Sequence, residues 1–163
     1  MPCAPTTSAP PLPRLRIRGE VVVAAPITTT WGALADLASH VEWMADAESI
    51  TFTSTQHDGV GTTFECVTKI GPLHTIDKMT VTEWVDGSRL TVAHTGLVRG
   101  TGTFEVAPAD ARCTRVTWTE DLRFPIYLGG VLGAFVAKPI LRRIWRGNLS
   151  GFAGLVEASY RKN

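Results

Sequence analysis

Few side chains in this chain of 163 residues combine a reactive group with an apolar setting. His94 follows Leu90 and Val92 at every second position, so in a strand it shares their face. An imidazole on such a face is suited to move a proton or hold a polar ligand atom. A histidine hydrogen-bonded at a strand end is the plainer alternative. Glu120 is in phase with Val116 and Trp118. Its carboxyl either lies buried with a raised pKa, pairs with a base, or meets water at a rim. His94 and Glu120 are therefore the candidates for acid/base catalysis. Asn148 falls at the centre of an apolar helical arc, where it would orient a ligand oxygen or bind backbone. Tyr127, beside Gly129 and Gly130, would line a cavity mouth or anchor at the surface. Trp43 would cap that mouth or pack between short helices. His74 and Asp77, three apart on one strand, point to opposite sides and do not read as a dyad.

Other chemistries find no support. There is no phosphate-binding or dinucleotide fingerprint, and no serine on a strand-to-helix elbow. The four histidines are scattered, and Cys3, Cys66 and Cys113 have no ligand spacing, so neither a metal nor a cofactor is expected. An odd, dispersed set of thiols fits a reduced cytoplasmic protein better than a disulfide framework. A net charge of +1 gives no global field for nucleic acid. Residues 1–13 are rich in proline, lack the pattern of a secretory signal, and read as a disordered tail before one domain over 14–163. The longest apolar run, Ile126 to Ala137, is broken by three glycines and is too short for a membrane span.

These residues need elements to position them. Arg14 to Ala25 reads as a strand stopped by Pro26. The threonines 28–30 offer an N-cap, with a short helix starting near Thr30 and a further helical turn over His40 to Ala45. Alternation then gives six strands in succession, turning at Asp58-Gly59, Gly71-Pro72, Asp86-Gly87, Leu97 to Gly100, and Pro108 to Ala111. Short turns dictate antiparallel neighbours, and a long meander curls because strands twist. With the first strand this makes a seven-stranded sheet. After Pro125 the period becomes helical, with a bend or break expected at Pro139. Gly147, Gly151, Gly154 and Ala158 form a small-residue stripe, predicting either close packing on the sheet or room kept for a ligand.

The order of strand, two short helices, meander and long C-terminal helix resembles the helix-grip fold of the START-like, or SRPBCC, superfamily. Local segments carry the same resemblance: WGALADLASHVEW (31–43), GVGTTF (59–64), VTEWVDGSRL (81–90) and TRVTWTE (114–120). Within the superfamily the chain is most similar to bacterial proteins of the polyketide cyclase/dehydrase or lipid-transport type. The resemblance implies an α+β fold with an apolar cavity between sheet and C-terminal helix. The fold alone does not choose among carriers, receptors and enzymes.

The inward strand positions predicted to meet a ligand are Phe52, Phe64, Cys66, Met79, Val92 and His94, then Phe104, Trp118 and Glu120. The helix would add Leu141, Ile144, Asn148 and Phe152, with Trp43 and Tyr127 near the mouth. The expected partner is a hydrophobic small molecule, lipid or polyketide-like, held by a carrier that is a monomer or homodimer. A cyclase, aromatase or dehydratase using His94 or Glu120 is the alternative, and a ligand-controlled regulatory module is a third. Lys138, Arg142, Arg143 and Arg146 make the helix locally basic, as a solvated face or as a surface for transient contact with an anionic membrane.

Overall fold

A computed structural model of the chain describes residues 14–96, 98–123 and 130–162. Strand β1 (Arg14–Val23) is followed by helix α1 (Ile27–Ala35) and a 3₁₀ helix (Leu37–Glu42). Six strands follow: β2 (Ala47–Phe52), β3 (Thr63–Ile70), β4 (Leu73–Val85), β5 (Arg89–Thr95), β6 (Arg99–Pro108) and β7 (Thr114–Arg123). Helix α2 (Gly130–Lys162) ends the described chain. The strands form one antiparallel sheet in the order β1-β7-β6-β5-β4-β3-β2. The meander thus brings its last strand back beside β1.

Glycine chemistry sets the tight turns. Gly71 and Gly87 have φ of 59° and 69°, a region other residues resist. The first helix starts earlier than the threonines suggest. Pro26 takes the cap position in extended conformation without a side-chain bond, and the Thr30 hydroxyl donates back to the Pro26 carbonyl at 3.1 Å. The threonines therefore lie inside the first turn. The second helical piece is likewise shifted back, to Leu37–Glu42.

Helix α2 continues through Pro139. Pro139 is exposed, and the carbonyl it leaves without a donor, at Phe135, lies on the same outer flank, where water can serve it. The buried side of α2 runs through Leu141, Trp145, Leu149, Phe152 and Val156, spaced by three or four residues. Burying a side chain such as Phe152 stabilises by about 1.5–3 kcal/mol. The glycine stripe faces neither sheet nor cavity. Gly147, Gly151 and Gly154 are exposed, and only Gly151 is closely approached, by the Trp43 carbonyl. The glycine that lets α2 close on the sheet is Gly19 in β1, where a Cβ would lie 2.9 Å from the Leu149 side chain.

Residues 1–13, read as a tail, fall outside the described residues, as does Tyr127. Among the described residues no helix is long and apolar enough to cross a membrane.

Candidate functional site

The sheet's inner face and α2 do not meet side chain to side chain along their whole length. Between them lies a cavity of about 270 Å³. Its walls are mainly apolar: Phe64, Met79, Val92, Phe104 and Trp118 from the strands, Leu141 and Trp145 from α2, and Leu37 and Met44 from the segment before β2. Ligand pockets share this character, a greasy wall with few placed polar groups.

The polar groups gather on β4, β5 and β7. His94 Nε2 lies 3.4 Å from Glu120 Oε2. The other Glu120 oxygen accepts a 2.8 Å bond from the Trp118 indole N–H. His94 and Glu120 belong to strands that are not neighbours, because β6 runs between them. The register explains how they meet. Gly100 stands opposite His94, and Gly102 opposite Glu120. A side chain at Gly102 would collide with the Glu120 carboxylate. The missing side chain opens the space through which the carboxylate lies toward His94.

Asp77 completes the group. It stands opposite Cys66 in the β3–β4 register and lines the same cavity. The Thr68 hydroxyl donates to Asp77 Oδ2 over 3.4 Å. Burial raises the Asp77 carboxyl, with Glu120 and Asp46 adding to the rise and His94 and Thr68 opposing it. Burial alone would lower the His94 imidazole, but the Glu120 bond and charge, with the Asp77 charge, hold it above its ordinary value. Burial pushes the Cys66 thiol up to about 11, so it is a wall group rather than a nucleophile. Among the described residues no cluster of His, Cys, Asp and Glu is placed to hold a metal ion.

Of the side chains expected at a ligand, Phe64, Cys66, Met79, Val92, His94, Phe104, Trp118, Glu120 and Leu141 line the cavity. Trp43, Phe52, Ile144, Asn148 and Phe152 do not. Trp43 packs behind the wall against Phe104, Trp118 and Phe152, with ring centroids 6.1, 6.3 and 5.1 Å away. Phe152 is buried in that same layer. Phe52 stacks on His57 at 4.1 Å. Ile144 lies about 60° around the helix from Leu141. Asn148 is fully buried but bonds the segment before β2: its Oδ1 accepts from the Ala45 backbone N–H at 3.0 Å and its Nδ2 donates to the Asp46 side chain, at Oδ1, over 2.7 Å. It pins the start of β2 to α2.

Asp77, Thr68, His40 and Trp145 are not among the expected site residues. Asp77 carries a signal, since it is in phase with Met79 and Val81. Weighing it only as a partner for His74 hides its own inward face. His74 is outside, 3.5 Å from Glu48.

Comparison with known proteins agrees with this architecture. Residues 14–157 match the family described as polyketide cyclase / dehydrase and lipid transport. No curated protein matches the sequence. Among solved structures, the Zhui aromatase/cyclase from Streptomyces sp. R1128 aligns with a TM-score of 0.74 at 16% identity, covering 88% of this chain and 94% of that one. A protein from Thermus thermophilus aligns at 0.73 and 20% identity, over 88% and 98%. A START superfamily protein from Mycobacterium smegmatis aligns at 0.67 and 12% identity, over 91% and 98%. At these identities the structures speak for the fold, which is helix-grip. The chain is a member of the polyketide cyclase / dehydrase and lipid transport family.

Proposed function

We propose that this protein binds a hydrophobic small molecule, lipid or polyketide-like, in the cavity between its sheet and α2, and acts as a carrier or binding protein. The observation that carries this reading is the apolar-walled space of about 270 Å³. An empty apolar cavity is destabilising by about 24 cal/mol per Å³ in measured cases, and a bound guest offsets this by mass action. Native mass spectrometry of freshly purified protein checks the reading. The expected result is a co-purifying or readily added apolar molecule. A protein that takes up none, lipid or aromatic, would remove it.

A second reading, a cyclase, aromatase or dehydratase acting on a polyketide-like chain, is favoured by the 3.4 Å approach of His94 to Glu120. Acid/base pairs that are long in the free enzyme tighten around substrate. On this reading the protein turns over a β-polyketone, and His94→Ala lowers kcat by a factor of about 10²–10⁴. Unchanged product formation in His94→Ala would sink the enzyme reading and leave the carrier.

We also propose a route for delivery. Phe135 and Val136 are exposed, and at 100° per residue they share one arc of about 120° with the exposed Arg142, Arg143 and Arg146. Ala137, Ile140 and Leu141 of the same helix line the cavity. Apolar side chains flanked by arginines suit the surface of an anionic bilayer. Binding to vesicles containing phosphatidylglycerol should fall at least about tenfold in Arg142→Glu/Arg146→Glu. Equal binding to neutral and anionic vesicles would remove the membrane contact.

A further inference from the structure

The cavity's polar corner is dominated by acceptors. Glu120 is 5% exposed, and its Oε2 has no hydrogen-bond donor in good geometry among the described residues, only the His94 ring 3.4 Å away. Asp77 Oδ1 is also buried without a donor among them. An ionised carboxylate can only accept hydrogen bonds. Buried acceptors in an apolar wall are normally paired, and one oxygen held only by the long approach of His94, beside one with no donor among the described residues, calls for an explanation. The charges point the same way. Asp77 and Glu120 face a single imidazole, and a third carboxyl, Asp46, also lines the cavity. Even with His94 protonated the corner is not positive.

From this we infer that the guest presents a neutral hydrogen-bond donor, a hydroxyl or phenol, to Glu120 Oε2 beside His94 and Asp77, and that molecules ending in a free carboxylate are selected against. The inference rests on the hydrophobic-binding reading and narrows its ligand class. A hydroxyl would donate to Glu120 while its own oxygen accepts from the His94 side, satisfying both partners at once. A carboxylate brings no donor and adds a like charge in a site that water screens poorly. The aromatic wall of Phe104, Trp118 and Trp145 supplies the area for the apolar body.

Three probes of one scaffold separate the terms: 2-naphthol, 2-methoxynaphthalene and 2-naphthoate, titrated by calorimetry at neutral pH. The expected order is naphthol tightest, by about tenfold over both others. The methyl ether keeps the ring and loses the donor, and the acid replaces the donor with a charge. In Glu120→Gln the preference for naphthol over methoxynaphthalene should shrink, and naphthoate should bind better than it does to the unmodified protein. Asp77→Asn should relieve the discrimination against naphthoate as well. Near-ultraviolet circular dichroism confirms that each variant keeps its packing. Equal affinity for naphthol and its methyl ether, or naphthoate binding as tightly as naphthol, would overturn the donor requirement while leaving hydrophobic binding standing. Failure of all three to bind would overturn the donor requirement, and only together with no uptake of lipid in native mass spectrometry would it overturn hydrophobic binding as well.

Discussion

Alanine at Gly100 should strongly destabilise the whole fold, whereas alanine at Gly102, two residues along the same strand, should cost less stability and disable the cavity. The difference lies in what the added methyl meets. At Gly100 it collides with the backbone of β7 at Asp121, and φ of 154° is a conformation that residues with a Cβ rarely adopt. Backbone cannot step aside without breaking the ladder between β6 and β7. Overpacking and strain together should remove about 3–5 kcal/mol, a fall in Tm of roughly 10 °C or more. At Gly102 the obstacle is the tip of the Glu120 side chain, which can swing. Swinging breaks the Trp118 bond and the approach to His94. Leaving the indole N–H unpaired should be destabilising by about 1–3 kcal/mol. His94 then loses the partner that raises it, so its titration by NMR should move down toward or below the ordinary histidine value. A Gly102→Ala protein whose His94 titrates as before would show that the glycine has no part in assembling the pair.

Much of the fold is legible in the sequence because it depends on periodicity and turn chemistry, which are local. Alternation places Phe64, Cys66, Val92, Trp118 and Glu120 on the inner face, and there they are. The site is less legible, because cavity and core use the same residue types. Phe104 and Phe152 look alike in a sequence, yet one lines the space and the other fills the layer behind it. Which is which depends on where α2 lies against β1, and so on the close approach of Leu149 to Gly19. The His94–Glu120 meeting is hidden for another reason. Both residues stand out by their phase, but their strands are not neighbours. Only the register of β6 shows that Gly102 stands at the crossing point. Asn148 is anomalous on its helical arc, and the plainer alternative, bonding to backbone, describes its Oδ1.

Acidification should weaken this protein through His40 before most carboxylates titrate. The ring lies in the 3₁₀ helix, 5% exposed, against Trp43 and Phe104 at centroid distances of 4.8 and 6.1 Å. Its Nε2–H donates to the Leu34 carbonyl at 2.8 Å, which fits a neutral imidazole. Burial lowers its pKa to about 4, against smaller upward pulls from the Leu34 bond and from Asp36. In the unfolded chain the same ring titrates near 6.5. Between those values the unfolded state binds more protons, so stability rises with pH. The contribution is complete above about 6.5 and is lost as pH falls toward about 4, roughly 3 kcal/mol in all. His94 runs the other way. With its folded pKa raised, its contribution is complete below the unfolded value and fades as pH climbs through the folded one. Asp77, also raised, favours the folded state as it takes up its proton in acid. Urea unfolding across this range, compared between the natural chain and His40→Gln, isolates the His40 share because the other groups are common to both. Glutamine can still donate to Leu34 but cannot titrate. The variant's stability should therefore fall less steeply between about pH 6.5 and 4. Parallel curves would mean that His40 takes up its proton at the same pH in the folded protein as in the unfolded chain, and that the wall formed by Trp43 and Phe104 admits water.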